Sequence, residues 1–119
     1  MLKFTTVSLI VVLLIALTGC RESLKTEDAG LLAAARTGHS GTVRDMIASG
    51  ANVNVKDEEG NTALIEAARN GHDDVVRTLL AAGADTRVKN NQGKTALMLA
   101  AQGGHDDTAE ALRQSGVRE

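Results

Sequence analysis

The segment from Asp57 to Lys89, DEEGNTALIEAARNGHDDVVRTLLAAGADTRVK, is copied imperfectly on both sides of itself at an offset of thirty-three residues. Gly71-His72 falls on Gly38-His39 upstream and on Gly104-His105 downstream, and Gly83 falls on Gly50 and Gly116. The same shift carries Leu64 onto Leu31 and Leu97, Ala67-Ala68 onto Ala34-Ala35 and Ala100-Ala101, and Gly60 onto Gly93. A period of this length marks stacked supersecondary units, none of which buries its apolar face without a neighbour.

Within the central copy, Ala63-Leu64-Ile65-Glu66-Ala67-Ala68-Arg69 is a run of good helix formers with its apolar positions on one face. Thr62 precedes it and Thr95 precedes its counterpart. A threonine hydroxyl there can accept from a free amide of the first turn, so both are expected N-caps. Asn70-Gly71 ends the helix, with Gly71 suited to the left-handed position. A second helix is expected from about Asp74 to Ala82, with Asp73 or Asp74 at its start favoured by the macrodipole. Its Val75, Val76, Leu79 and Leu80 form a broad apolar stripe. Gly83 stops it, and Asn90-Asn91-Gln92-Gly93 makes a turn into the next unit.

The chain has 119 residues, room for one small domain, and its start has a different character. Lys3 gives a basic beginning, Phe4 to Ala16 is almost wholly apolar, and Leu17-Thr18-Gly19-Cys20 follows. This is the form of a secretory signal with small residues at the cut. The LTGC tetrapeptide resembles the lipobox of bacterial lipoproteins, which implies cleavage between Gly19 and Cys20 and acylation of Cys20. A retained membrane helix and a plain signal peptide are the competing readings. The apolar run is shorter than the roughly 20 residues that a spanning helix needs, and Cys20 is the only cysteine, so no intrachain disulfide accounts for it. The expected layout is therefore a signal segment over 1–19, a lipidated cysteine and short linker over 20–26, and a repeat domain over 27–119. For a bacterium with two membranes, the lipoprotein resemblance implies the outer membrane with the domain facing the periplasm, since Arg21 stands where an aspartate is the usual inner-membrane retention signal in enteric-type bacteria.

Helix, tight turn, helix, glycine and polar turn at this period resemble the ankyrin repeat. Gly60-Asn61-Thr62-Ala63-Leu64 and Ala67-Ala68-Arg69-Asn70-Gly71-His72 match the family's GxTPLHxAAxxGH pattern, and Val75 to Leu80 with Gly83-Ala84-Asp85 matches VVxLLLxxGAD. The resemblance implies an all-α solenoid of about three helix-turn-helix repeats, near 27–56, 57–89 and 90–119, with short hairpin turns between them. TPLH reads Thr62-Ala63-Leu64-Ile65 and Thr95-Ala96-Leu97-Met98 here, so the proline and histidine of that tetrapeptide are absent. Alanine gives up proline's fixed dihedral and remains an excellent helix former. In the last copy, Arg113 stands opposite Leu80 and Ala109 opposite Val76, a more polar pattern suited to a terminal cap.

Catalytic and metal chemistry find little support. Equivalent histidines of successive repeats sit roughly 8–10 Å apart, too far to share one zinc at about 2 Å. His72-Asp73-Asp74 and His105-Asp106-Asp107 read as turn and helix-start chemistry, and the ankyrin resemblance implies that the imidazole bonds across the inter-helix turn. Ser40, Ser49 and Ser115 lack a glycine elbow or triad order, and the glycines recur at turn positions rather than in a phosphate loop. Removing Lys3 leaves twelve basic against fifteen acidic residues, a mixed surface unlike the basic face that nucleic acid requires. No cofactor, metal or small-molecule substrate is expected.

The resemblance implies partner contacts at variable positions beside the framework: Glu58, Glu59, Asn61, Arg69 and Asn70 in the central copy, and Asn91, Gln92, Lys94, Gln102 and Gly103 in the third. In the first copy they are Lys25, Thr26, Asp28, Arg36 and Thr37. Arg36 and Arg69 are expected to stack as neighbours, with Leu99 as an exposed apolar spot beside them. The expected role is non-catalytic binding of a protein in the cell envelope. Inhibition of a toxin or hydrolase, or tethering and maturation of a periplasmic enzyme, are the narrower alternatives.

Overall fold

The structure, a computed structural model, describes residues 26–117. The expected signal segment, its Gly19-Cys20 junction and the acylation of Cys20 lie outside the described residues. Among the described residues six helices follow one another: α1 Thr26–Thr37, α2 Ser40–Ala48, α3 Ala63–Arg69, α4 Asp73–Ala81, α5 Ala96–Gln102 and α6 Asp106–Val117. They form three antiparallel pairs. Each first helix packs on the first helix of the next pair and each second helix on the next second helix, giving a two-layer solenoid.

Local chemistry sets the helix boundaries. Thr62 and Thr95 are extended, and their hydroxyls accept from the amides of Ile65 at 3.2 Å and Met98 at 3.3 Å, which satisfies one orphan donor in each first turn. The second helix of the central repeat starts at Asp73, whose carboxylate accepts from Arg77 Nε one turn on at 2.9 Å. His39 and His72 precede α2 and α4 without capping them through their side chains.

The core among the described residues is wholly aliphatic. Leu31, Val43, Leu64, Ile65, Val75, Val76 and Leu79 are all but inaccessible, and Ala34, Ala35, Ala67, Ala68 and Ala100 line the junctions between first helices. Small side chains there allow neighbouring helix axes to approach closely. The expected stripe on α4 is present, with Leu80 only half-buried at its edge.

Each connecting hairpin is built on one side chain. Asp57 Oδ1 accepts from the amides of Glu59 and Asn61, both at 2.9 Å, while the Asp57 amide donates to the Asn61 carbonyl at 2.9 Å. A single antiparallel bridge joins Lys56 to Thr62. Thirty-three residues on, Asn90 Oδ1 accepts from the amides of Gln92 and Lys94 at 3.0 Å, and the Asn90 amide donates to the Lys94 carbonyl. A short acceptor side chain that bonds amides two and four residues later is the means by which Asx residues fix such turns.

The histidines correct one expectation. His72 Nε2 lies 3.0 Å from the carbonyl of Arg36, and His105 Nε2 lies 3.2 Å from the carbonyl of Arg69, so each imidazole reaches the preceding repeat instead of bridging its own turn. His39 bonds Thr37 Oγ1 at 2.7 Å. The receiving position is a glycine. Gly38 has φ +84°, and a Cβ on it would come within 2.7 Å of His72 Nδ1; Gly71, at φ +71°, would meet the ring of His105 in the same way. A side chain is excluded there both by backbone conformation and by the neighbour's ring.

Candidate functional site

The hairpin tips and first helices share one side of the solenoid, and its centre is a carboxylate. Glu66, on α3, is 3% exposed. Arg36 Nε, from the end of α1, donates to Glu66 Oε2 at 3.3 Å, and Arg69 Nη1 lies 3.6 Å from Glu66 Oε1. Arg36 Nη2 also lies 3.9 Å from Asp57 Oδ2 at the root of the hairpin. Arg36 and Arg69 are neighbours on this face, joined through Glu66. A buried carboxylate is tolerated when cations and hydrogen bonds compensate its lost hydration.

Two adjoining grooves open over this network. One, of about 310 Å³, is lined by Arg36, Asp57, Glu59, Glu66, Arg69 and Asn70. The other, of about 320 Å³, has Ala29, Leu32 and Ala33 of α1 along its floor and Arg36, Asp57, Glu58 and Glu59 along its walls. They share Arg36, Asp57 and Glu59.

Several residues expected to meet a partner lie on the surface. Arg36, Glu58, Glu59, Asn70, Asn91, Gln92 and Gln102 are exposed, and Arg69 and Lys94 are half-buried. Some of them already have structural work. Asn70 Nδ2 donates to the Glu66 carbonyl at 2.9 Å, and Asn91 holds the hairpin tip of the preceding repeat, donating from its amide to the Glu59 carbonyl at 3.0 Å and from Nδ2 to the Glu58 carbonyl at 3.1 Å.

Asn61 and Leu99 require correction. Asn61 is fully buried. Its Oδ1 accepts from Asn90 Nδ2 at 2.9 Å and from Arg69 Nη2 at 3.3 Å, and its Nδ2 donates to Glu59 Oε2 at 3.4 Å. The next hairpin closes over it, so it braces two repeats from inside and offers a partner nothing. Asp28, in the same register, is also buried, its Oδ1 accepting from the Asn52 amide at 2.7 Å. Leu99 is 9% exposed and belongs to the core. Helical spacing puts it on one stripe with Ala96 and Ala100. Among the described residues the exposed large apolar side chain is that of its neighbour Met98, at 47%.

Glu66 is a member of the site that the sequence does not single out. Its register mates are Ala33 and Leu99, so the position reads as variable; Arg69 lies three residues on in the same helix, but the burial of Glu66 and its bond from Arg36 come only from stacking. The network also alters how the face can be probed. Reversing Arg36 and Arg69 to glutamate would add two carboxylates beside Asp57 and the buried Glu66, and a folding defect would follow. Glu58, Gln92 and Gln102 are exposed and are cleaner positions.

Among the described residues no three His, Cys, Asp or Glu side chains converge as a metal site would require, and no helix is long and apolar enough to cross a membrane. In comparison with known proteins, residues 10–118 match the family model for ankyrin repeats (3 copies). No curated protein matches the chain.

Proposed function

The chain belongs to the ankyrin-repeat family, whose members serve as protein-interaction modules and are generally non-catalytic adaptors, and from that premise we propose that it is a lipid-anchored, non-catalytic binding protein of the bacterial cell envelope. The observation that carries the binding reading is the pair of adjoining grooves over Glu66, framed by the 57–59 hairpin tip, whose backbone the next repeat holds in place. A surface held rigid before contact loses less conformational freedom on binding.

Anchoring rests on Leu17-Thr18-Gly19-Cys20. Two or three acyl chains at Cys20, each contributing about 0.8 kcal/mol per buried methylene, would make attachment effectively permanent. Arg21 after the cysteine favours the outer membrane and a domain facing the periplasm.

Crosslinking in intact cells, followed by identification of the captured protein, tests the binding role. Recovery of one defined envelope protein is the expected result, and its absence at native expression sinks the reading. Labelled palmitate tests the anchor: wild type incorporates it, and Cys20→Ala does not and leaves the membrane fraction. A Cys20→Ala protein that stays membrane-bound, with wild type unlabelled, ends the lipoprotein interpretation.

A further inference from the structure

We propose that the groove floored by Ala29, Leu32 and Ala33 takes a cationic stretch of a partner polypeptide, with Lys or Arg side chains against Glu58 and Glu59 and small apolar side chains on the floor. This deepens the proposed function and rests on its binding reading. Four carboxylates, of Asp57, Glu58, Glu59 and Glu66, and two guanidiniums line the joined grooves. The guanidiniums are already engaged: Arg36 by Glu66 and Asp57, and Arg69 by Glu66 and Asn61. The groove thus presents a net negative charge, and its uncompensated part lies at the exposed tip.

That charge is held in position. The carbonyls of Glu58 and Glu59 accept from Asn91 of the next repeat at 3.1 and 3.0 Å, which fixes the backbone from which both carboxylates project. Glu59 keeps a long contact of 3.4 Å from Asn61 Nδ2, and Glu58 is exposed. An anionic occupant would meet four carboxylates against two guanidiniums that already face Glu66. A cationic one would gain electrostatic complementarity, which governs partner choice and association rate more than it governs affinity. The floor adds a contact suited to short side chains, since Ala29 and Ala33 are exposed and Leu32 is nearly covered.

The test is an NMR titration of the isotope-labelled full chain in detergent micelles with two capped decapeptides, one alternating Ala and Lys and one alternating Ala and Glu. The Ala-Lys peptide is expected to shift the amides of Ala29, Leu32, Ala33 and residues 57–59 saturably, and to bind several-fold more weakly on going from about 0.05 to 0.2 M salt as screening shortens the reach of the charges. The Ala-Glu peptide is expected to leave them unmoved. The double variant Glu58→Gln, Glu59→Gln should weaken Ala-Lys binding at least about tenfold, a factor worth about 1.4 kcal/mol, with an unchanged melting midpoint. Equal response to both peptides, full binding by the double variant, or shifts that track self-association of the chain without peptide would each overturn the proposal. In cells, a partner captured equally well by the double variant overturns this inference and leaves the binding role standing. Failure of wild type to capture anything overturns the binding role itself.

Discussion

At the scale of single residues, each internal junction is keyed by a glycine and a histidine that occupy one space. Gly71 receives the ring of His105, whose Nε2 reaches the Arg69 carbonyl, whereas Gly104 has the same left-handed backbone, φ +73°, and nothing within 4 Å of the Cβ position. The pair separates two effects that one glycine would confound. Gly104→Ala should cost about 1–2 kcal/mol, the penalty of a Cβ in the left-handed region. Gly71→Ala should cost at least about 1 kcal/mol more, because the imidazole is displaced and its bond lost. Urea denaturation followed by circular dichroism measures both. In a His105→Ala background the excess should vanish, which is the coupling that a double-mutant cycle reports; equal costs in the wild-type background would refute the keyed junction. The glycines and histidines were legible from their recurrence alone. The direction in which the histidine points was not, because its acceptor lies thirty-six residues away and recurrence carries no information about which copy it belongs to.

At the scale of elements, one register position shows what stacking does. Leu32, Ile65 and Met98 occupy it in successive first helices, and their exposure is 5%, 1% and 47%. The side chains are similar in size and polarity, so the difference comes from place in the stack: α3 packs against a first helix on either side, and among the described residues α5 packs against one, α3. Ile65→Lys should therefore cost at least about 3 kcal/mol, the consequence of an unpaired charge in a packed junction, and Met98→Lys should change stability by no more than about 0.5 kcal/mol. Thermal melts of the two variants decide it, and comparable losses would mean that Met98 is covered by something in solution. Helix starts at Thr62 and Thr95 followed from local hydrogen-bonding chemistry. Leu99 did not follow, because its mates Glu66 and Ala33 invited a surface reading. Asn61 was misplaced for a related reason: asparagine in a turn is ordinarily solvated, and only the overlying Asn90 hairpin encloses it.

At the scale of the whole molecule, the described residues form a one-dimensional stack in which the central repeat packs on a neighbour on each side and each outer repeat packs on the central one. Stability should be graded accordingly. Native-state hydrogen exchange is expected to show the slowest amides in Ala63–Arg69 and Asp73–Ala81, with those of Asp106–Val117 exchanging at least about tenfold faster. Uniform protection along the stack would show instead that the three repeats open as one unit. An aliphatic core without large aromatic side chains keeps total stability modest, so a bound partner should raise the melting midpoint as mass action requires.

Sequence alone determined the unit and its repetition, because period, caps and turn glycines act through bonds within a few residues of one another and each copy states them again. It also marked the face on which Arg36, Glu58, Glu59 and Arg69 lie, since a register position implies a direction once the unit is known. Only the tertiary structure decided which polar residues on that face are free. Glu66 and Asn61 are enclosed by groups from other repeats, and whether a polar side chain meets water or a partner inside the protein depends on what stacks above it.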